Sequence, residues 1–332
     1  MITNRTARKD LRRRRRLLLE KLEHRLPLAI GTPVFAGGIL TFDSVGGNDT
    51  LVLSSTDDPN RIQFDGGSSP SRGVVDNVTQ VIFNGDGGDD SLVVRNDLGS
   101  SVFQPEILFD GGGGDDTVVV NGSSGPDTFR AIDDGQIFFN HQDSVGDDMA
   151  IAITSVESRT LNGVGSVDSF LVTAADGPLI TVNAANSSSV LNYRSQNAGP
   201  IEIRDSRIDD TSGDVVFSGF GEVALNARGQ AVSVVGTDDD ELIEVDSLGP
   251  TDAIVHVSQQ PIIRVTSLAP NQLTIDGGGG QDDLTIQSGS ISDEISVTDS
   301  EVSITAATNV LTINHETLAV LGGAGSDRFT VT

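Results

Sequence analysis

From residue 31 onward, short apolar runs rich in β-branched residues alternate with clusters of Gly, Asp, Asn and Ser. The runs Ile107 to Phe109, Thr117 to Val120, Ile151 to Ile153, Val232 to Val235, Leu273 to Ile275 and Leu284 to Ile286 span only three or four residues each. None repeats at the 3.6-residue spacing of an amphipathic helix, so each is predicted as a strand. The glycine-rich clusters between them are predicted as tight turns, because glycine reaches positive φ without steric cost.

Three turns share one pattern, G-G-x-G-x-D with an apolar residue two places on: Gly111 to Asp116, Gly277 to Asp282 and Gly322 to Asp327. Degenerate copies run from Ser44 to Asp49, Gly85 to Asp90 and Gly163 to Asp168. A second turn follows several of these after eleven residues, as Gly122 follows Gly111 and Ser288 follows Gly277. Eleven residues make one strand plus one turn, so about twenty-two make a flattened coil with a turn at either edge. The sequence therefore predicts an all-β body, a β-solenoid similar to a parallel β-helix, with coils of about 20–26 residues. On this reading the turns at 85 and 111 are one coil apart, and those at 277 and 322 are two coils apart. Tandem antiparallel β-sandwiches are the competing architecture, since Asp133-Asp134-Gly135-Gln136 reads as a hairpin turn between two apolar runs.

The G-G-x-G-x-D turns resemble the calcium nonapeptide of hemolysin-type (RTX) proteins. That resemblance implies Ca²⁺ held by glycine carbonyls and aspartate carboxylates. It makes Asp89, Asp90, Asp115, Asp116, Asp127, Asp282, Asp283 and Asp327 the candidate metal ligands, with the first four forming the best shared site. The run Asp238-Asp239-Asp240-Glu241 is the densest acidic stretch and reads as a solvated edge or a secondary ion site.

Charge divides the chain in two. Residues 1–30 hold 10 of the 21 basic residues and 3 of the 48 acidic ones, which leaves 45 acids against 11 bases, a formal −34, on residues 31–332. Such a body repels nucleic acid and anionic membranes and attracts cations. The arginine run Arg12 to Arg16, followed by Leu17 to Leu19, predicts a short basic helix. Leu22-Glu23-His24-Arg25-Leu26-Pro27-Leu28 resembles the LEPR-x-L-L signal at the start of large secreted bacterial repeat proteins, with His24 in place of its proline and Pro27 splitting its leucines. Together these predict a signal or sorting segment over 1–30, an acidic repeat domain over 31–332, and an extracellular or cell-surface location. No run approaches the ~20 apolar residues of a membrane helix, so no transmembrane segment is expected.

Cysteine is absent, which excludes disulfides, thiol catalysis and thiolate metal sites. The four histidines His24, His141, His256 and His315 are scattered, and no HExxH, GxSxG, P-loop or dinucleotide fingerprint occurs. A carbohydrate-processing β-helix would need a basic residue beside an acidic pair. Arg130, Arg159, Arg204 and Arg264 are its candidates, but one Tyr and no Trp leave few aromatic platforms for a sugar. The sequence thus favours a non-enzymatic structural or adhesive surface module whose partners are calcium and, at the surface, polysaccharide or other proteins. The alternatives are a carbohydrate-processing enzyme and the repeat module of a larger toxin or protease. Because no capping end follows Phe329 to Thr332, the body is expected either to continue past Thr332 or to be covered there by a partner.

Overall fold

In the computed structural model, residues 30–332 are described apart from 59, 67–71, 97–104, 133–134, 142–148, 174–178, 197–198, 212, 271, 290–291 and 306. The predicted basic helix and sorting signal lie outside the described residues. All the regular structure described is β. Each predicted apolar run lies in a strand, and the alternating burial of Gln80–Asn84, Ser91–Arg95 and Thr117–Asn121 shows why these residues chose that conformation. One side chain in two enters the core, and the next stands on an outer face.

The strands form two long sheets. The first runs from Val34–Ala36 to Thr317–Leu321, and the second from Arg72–Val75 to Arg328–Val331. The chain winds between them and makes turns at two edges. On the near edge it passes from the first sheet to the second, through the turns at 44–49, 85–90, 111–116 and 322–327 and between strands Asp283–Gln287 and Glu294–Val297. On the far edge it returns, through 122–127, 163–168, 236–241 and 277–282.

Coils that follow one another pair in parallel, as in a β-solenoid. Gln80–Asn84 lies beside Glu106–Asp110, and Ser158–Asn162 lies beside Leu179–Asn183. The offset is 26 residues between Gln80 and its partner Glu106, and 21 between Ser158 and Leu179, within the predicted coil length. The eleven-residue pairing is also observed. The turn at 111–116 is followed across strand Thr117–Asn121 by the turn at 122–127 on the opposite edge.

Antiparallel meanders of three strands interrupt the winding. They begin at Thr50–Ser54, Asp127–Ile132, Ile201–Arg204, Leu242–Gly249 and Glu294–Val297, and fall alternately in the second and first sheets. The strands flanking Asp133-Asp134-Gly135-Gln136 do pair antiparallel, with Ile132 opposite Gln136. Features of both predicted architectures therefore sit in one body, with the solenoid as the frame.

The meanders correct the expected register. The 41 residues from Ser44 to Gly85 make a single step along the first sheet, because strand Ile39–Asp43 pairs directly with Gln80–Asn84 and the extra length is a meander within the second sheet. The segment after Ser55 belongs to that meander. The turns at 277 and 322 are not stacked two coils apart. They lie on opposite edges.

The core between the sheets is aliphatic with stacked phenylalanines. Phe83 and Phe109, in adjacent coils, stack with centroids 5.0 Å apart, and Phe129 and Phe170 stack at 4.7 Å. Each fully buried Phe, Leu, Ile or Val contributes about 1.5–3 kcal/mol relative to exposure, so a continuous column of them is the main cohesive force. Polar bonds also cross this core. Tyr193 of the first sheet donates its hydroxyl to Asp210 of the second at 2.6 Å, and burial raises the phenol pKa.

Candidate functional site

The repeated chemistry of the turns resolves into two ladders of carboxylates, one along each edge. Asp90, Asp116, Glu157, Asp168, Asp282, Glu316 and Asp327, each the last acidic residue of its turn, accept the backbone N–H of their counterpart in the preceding coil. On the near edge the Asp49 amide donates to Asp90 Oδ1 at 2.8 Å, the Asp90 amide to Asp116 Oδ1 at 2.6 Å, and the Asp116 amide to Glu157 Oε2 at 2.7 Å. Further along, the Asp293 amide donates to Asp327 Oδ1 at 3.0 Å. On the far edge the Asp127 amide donates to Asp168 Oδ1 at 3.0 Å, and the Asp168 amide to Ser189 Oγ at 2.9 Å. The Glu241 amide donates to Asp282 Oδ1 at 2.9 Å, and the Asp282 amide to Glu316 Oε2 at 2.6 Å.

A second, outer set of bonds runs the opposite way, one residue earlier in the turn. The Asp115 amide donates to Asp89 Oδ1 at 3.0 Å, the Asp89 amide to Asn48 Oδ1 at 2.9 Å, and the Gln281 amide to Asp240 Oδ1 at 2.8 Å. Adjacent turns are therefore clasped reciprocally. The glycines make room for this approach. A Cβ on Gly114, whose φ is +140°, would overlap the Gly88 carbonyl of the turn below.

Burial sets the electrostatics of the inner ladder. Asp90 is 1% exposed and Asp116 fully buried. Burial pushes Asp90 up to about 6, opposed by the amide of Asp49 and reinforced by the charges of Asp116, Asp49 and Asp89. Asp168 is likewise pushed up to about 6 by burial, with the Asp127 amide opposing. Burial also raises Asp116 and Asp282. The Oδ2 atoms of Asp90, Asp116, Asp168 and Asp293 have no hydrogen-bond partner.

The donors expected for calcium divide accordingly. Asp90, Asp116 and Asp282 are turned into the body, and each binds an amide through Oδ1. Asp127 accepts from the Ser123 amide and hydroxyl of its own turn at 2.6 and 2.9 Å. Asp89, Asp115 and Asp283 are exposed, and Asp327 is half-buried. The carbonyls of Gly87, Gly113 and Asp86 accept amides of neighbouring turns. The turns at 85 and 111 are stacked as expected, and Asp89, Asp90 and Asp116 each accept a neighbouring amide through Oδ1. Among the described residues no three His, Asp or Glu side chains converge on one point.

Glu241, read in the sequence only as the end of an acidic run, and Glu157 and Glu316 were not recognised there as ladder members. Gly236-Thr-Asp-Asp-Asp-Glu241 is a full copy of the turn with Glu in the last place, and the glycine five residues before an acid was the readable signal. Glu157 and Glu316 close ladders from shorter turns that begin at Ser155 and Asn314, both at positive φ. Their longer side chains span the distance an aspartate covers in a full turn.

The arginines weighed for a sugar carboxylate are otherwise engaged. Arg130 lies over the Phe138 ring at 4.8 Å, Arg159 is buried and donates to the Ile132 carbonyl, Arg204 pairs with Glu202 and Asp209, and Arg264 pairs with Glu222 at 3.0 Å. A surface cavity of about 390 Å³ touches the far ladder at Asp127 and Asp168, and one of about 350 Å³ lies beside Phe217, Phe220 and Gln260. No family profile, curated protein or solved structure shows significant similarity to this chain.

Proposed function

We propose that this chain is a structural repeat body of an exported bacterial protein, a stiff acidic β-solenoid that serves as a surface or adhesive module. The observation that carries the reading is the use made of the buried acids. The carboxylates that a catalytic or ion-dependent site would present outward are spent on clasping one coil to the next. A carbohydrate-processing enzyme is less well supported, because Arg204 and Arg264 are tied to neighbouring acids and the stacked phenylalanines lie inside the core. Calcium would have to come to the outward carboxylates, Asp89, Asp115 and the Asp238 to Asp240 run.

Location tests the reading most directly. The full chain and a version lacking residues 1–30 are expressed in a bacterium, and the culture is probed by protease shaving and by assay of the medium. Export only when 1–30 is present is the expected result. Retention of both versions inside the cell would overturn it.

A further inference from the structure

Two meanders meet across the far edge. In the second sheet, strands Val215–Ser218, Arg207–Asp210, Ile201–Arg204 and Val232–Val235 lie side by side in that order, and in the first sheet Glu222–Asn226, Ile262–Thr266, Asp252–Val257 and Leu242–Gly249 do the same. The turn at 219–221 joins the first strands of the two sets across the edge, and the turn at 236–241 joins the last. At this edge the two middle strands of each set are joined only to one another, by hairpin tips at 205–206 and 258–261. Both tips lie on the far edge, because Ile201–Arg204 runs parallel to Val232–Val235, which ends there, and Ile262–Thr266 runs parallel to Glu222–Asn226, which starts there. The opposed meanders therefore leave a window between the sheets.

Packing does not fill that window. The cavity of about 350 Å³ opens there, lined by Asp205 and Ser206 from one tip, Gln260 from the other, and Phe217 and Phe220 beside them. The turn at 219–221 carries Phe220 and no acid, so the ladder is interrupted at this level. Gln260 holds the unanswered chemistry: its Nε2 and Oε1 are both buried, and neither has a hydrogen-bond partner. A carboxamide so placed has given up water at two atoms without a return, and a group that pairs both would recover the loss.

We infer that the window binds a neutral sugar ring, one pyranose unit of a polysaccharide. A carboxamide offers a donor and an acceptor side by side, and two vicinal hydroxyls return an acceptor and a donor. Ser206 and the exposed Asp205 stand ready for further hydroxyls, while Phe217 and Phe220 give the C–H face of the ring an apolar wall. A space of about 350 Å³ lies at the small end of the range for organic ligands, which suits a single ring. Uronates and phosphorylated or sulfated sugars are repelled by Asp205 and by a body of formal charge −34. The site binds rather than cleaves, because Asp205 is the one acid lining it and glycoside hydrolysis commonly takes a pair of carboxylates. The inference rests on the adhesive reading for the source of the sugar, a surface polysaccharide.

The test is saturation-transfer NMR of the full chain with millimolar glucose, galactose, mannose and N-acetylglucosamine, and with glucuronate as the anionic comparison. The same titrations are run on Gln260→Leu, Gln260→Asn and Gln272→Leu, the last at an exposed glutamine on the near edge. At least one neutral sugar is expected to bind, and glucuronate is not. Gln260→Leu should weaken binding by about 10-fold or more, the worth of two neutral hydrogen bonds, without lowering the melting temperature, since it removes two unpaired polar atoms. Gln260→Asn, which draws the amide back by one methylene, should weaken the same sugar and serves alone if the leucine variant does not fold. Gln272→Leu leaves binding unchanged. Silence from all four neutral sugars, equal binding of glucuronate, or binding unaltered by the changes at 260 would overturn the inference. A chain that is exported but binds none of the sugars would sink the window and leave the surface reading, whereas a chain retained in the cell that binds one would do the reverse.

Discussion

Asp90 and Asp168 each fold with one oxygen bonded to an amide and the other, Oδ2, buried without a partner. Burial favours the protonated acid and outweighs the amide bond, which favours the charged form, so both are pushed up to about 6 from a usual value of 3.8. Between these limits the folded chain holds protons that the unfolded chain has released, so folding stability falls as pH rises from about 4 to 6. Melting temperature is therefore expected to be higher at pH 4.5 than at pH 7. Neutralising the whole acidic body acts in the same direction, so the double variant Asp90→Asn, Asp168→Asn is the control. It keeps an acceptor at Oδ1 but cannot titrate. Its melting temperature should change less between the two pH values than that of the unaltered chain, and an equal change would remove these two residues from the effect.

At the scale of the turn, glycine has two separate jobs, and the structure distinguishes them. Gly114 combines φ of +140° with direct contact on the Gly88 carbonyl of the next turn, whereas Gly165 has φ of +81° and open space where a Cβ would stand. Gly114→Ala is expected to cost about 1–3 kcal/mol from backbone strain, plus the loss of turn stacking. Gly165→Ala should show the strain alone. Chemical denaturation of both variants measures the difference, and equal losses would mean that coil clasping contributes nothing. Strands and turns of this kind were legible in the sequence, because period-two burial and Gly-Asp clusters are local signals. The eleven-residue pairing also survived, since 111–116 and 122–127 sit on opposite edges. The meanders were only half legible. The hairpin at Gly135 was visible, but whether two added strands stay in one sheet or cross to the other depends on pairing with strands some 40 residues away. The direction of the carboxylates was equally non-local. The same Gly-Asp spacing serves an ion-facing turn or an amide-facing one, and the choice is made by the neighbouring coil.

Across the whole molecule, the inner ladders neutralise little of the charge, because each inward acid binds a neutral amide. The outward acids, among them Asp86, Asp89, Asp115 and Asp238 to Asp240, remain exposed along the edges. A body of formal charge −34 held together by apolar columns and amide clasps is destabilised by its own repulsion, and that repulsion is screened by salt. Raising monovalent salt at pH 7 should therefore raise the melting temperature smoothly. If the outer carboxylates only gather a diffuse cloud of cations, millimolar calcium should do no more than magnesium at equal ionic strength, and chelator should leave the melt unchanged. A saturable rise specific to calcium, abolished by Asp89→Asn with Asp115→Asn but retained in Asp90→Asn, would place an ion on the outer face of the near edge. It would also show that the turns hold both an inward clasp and an outward site, the two roles separated by a single position in sequence.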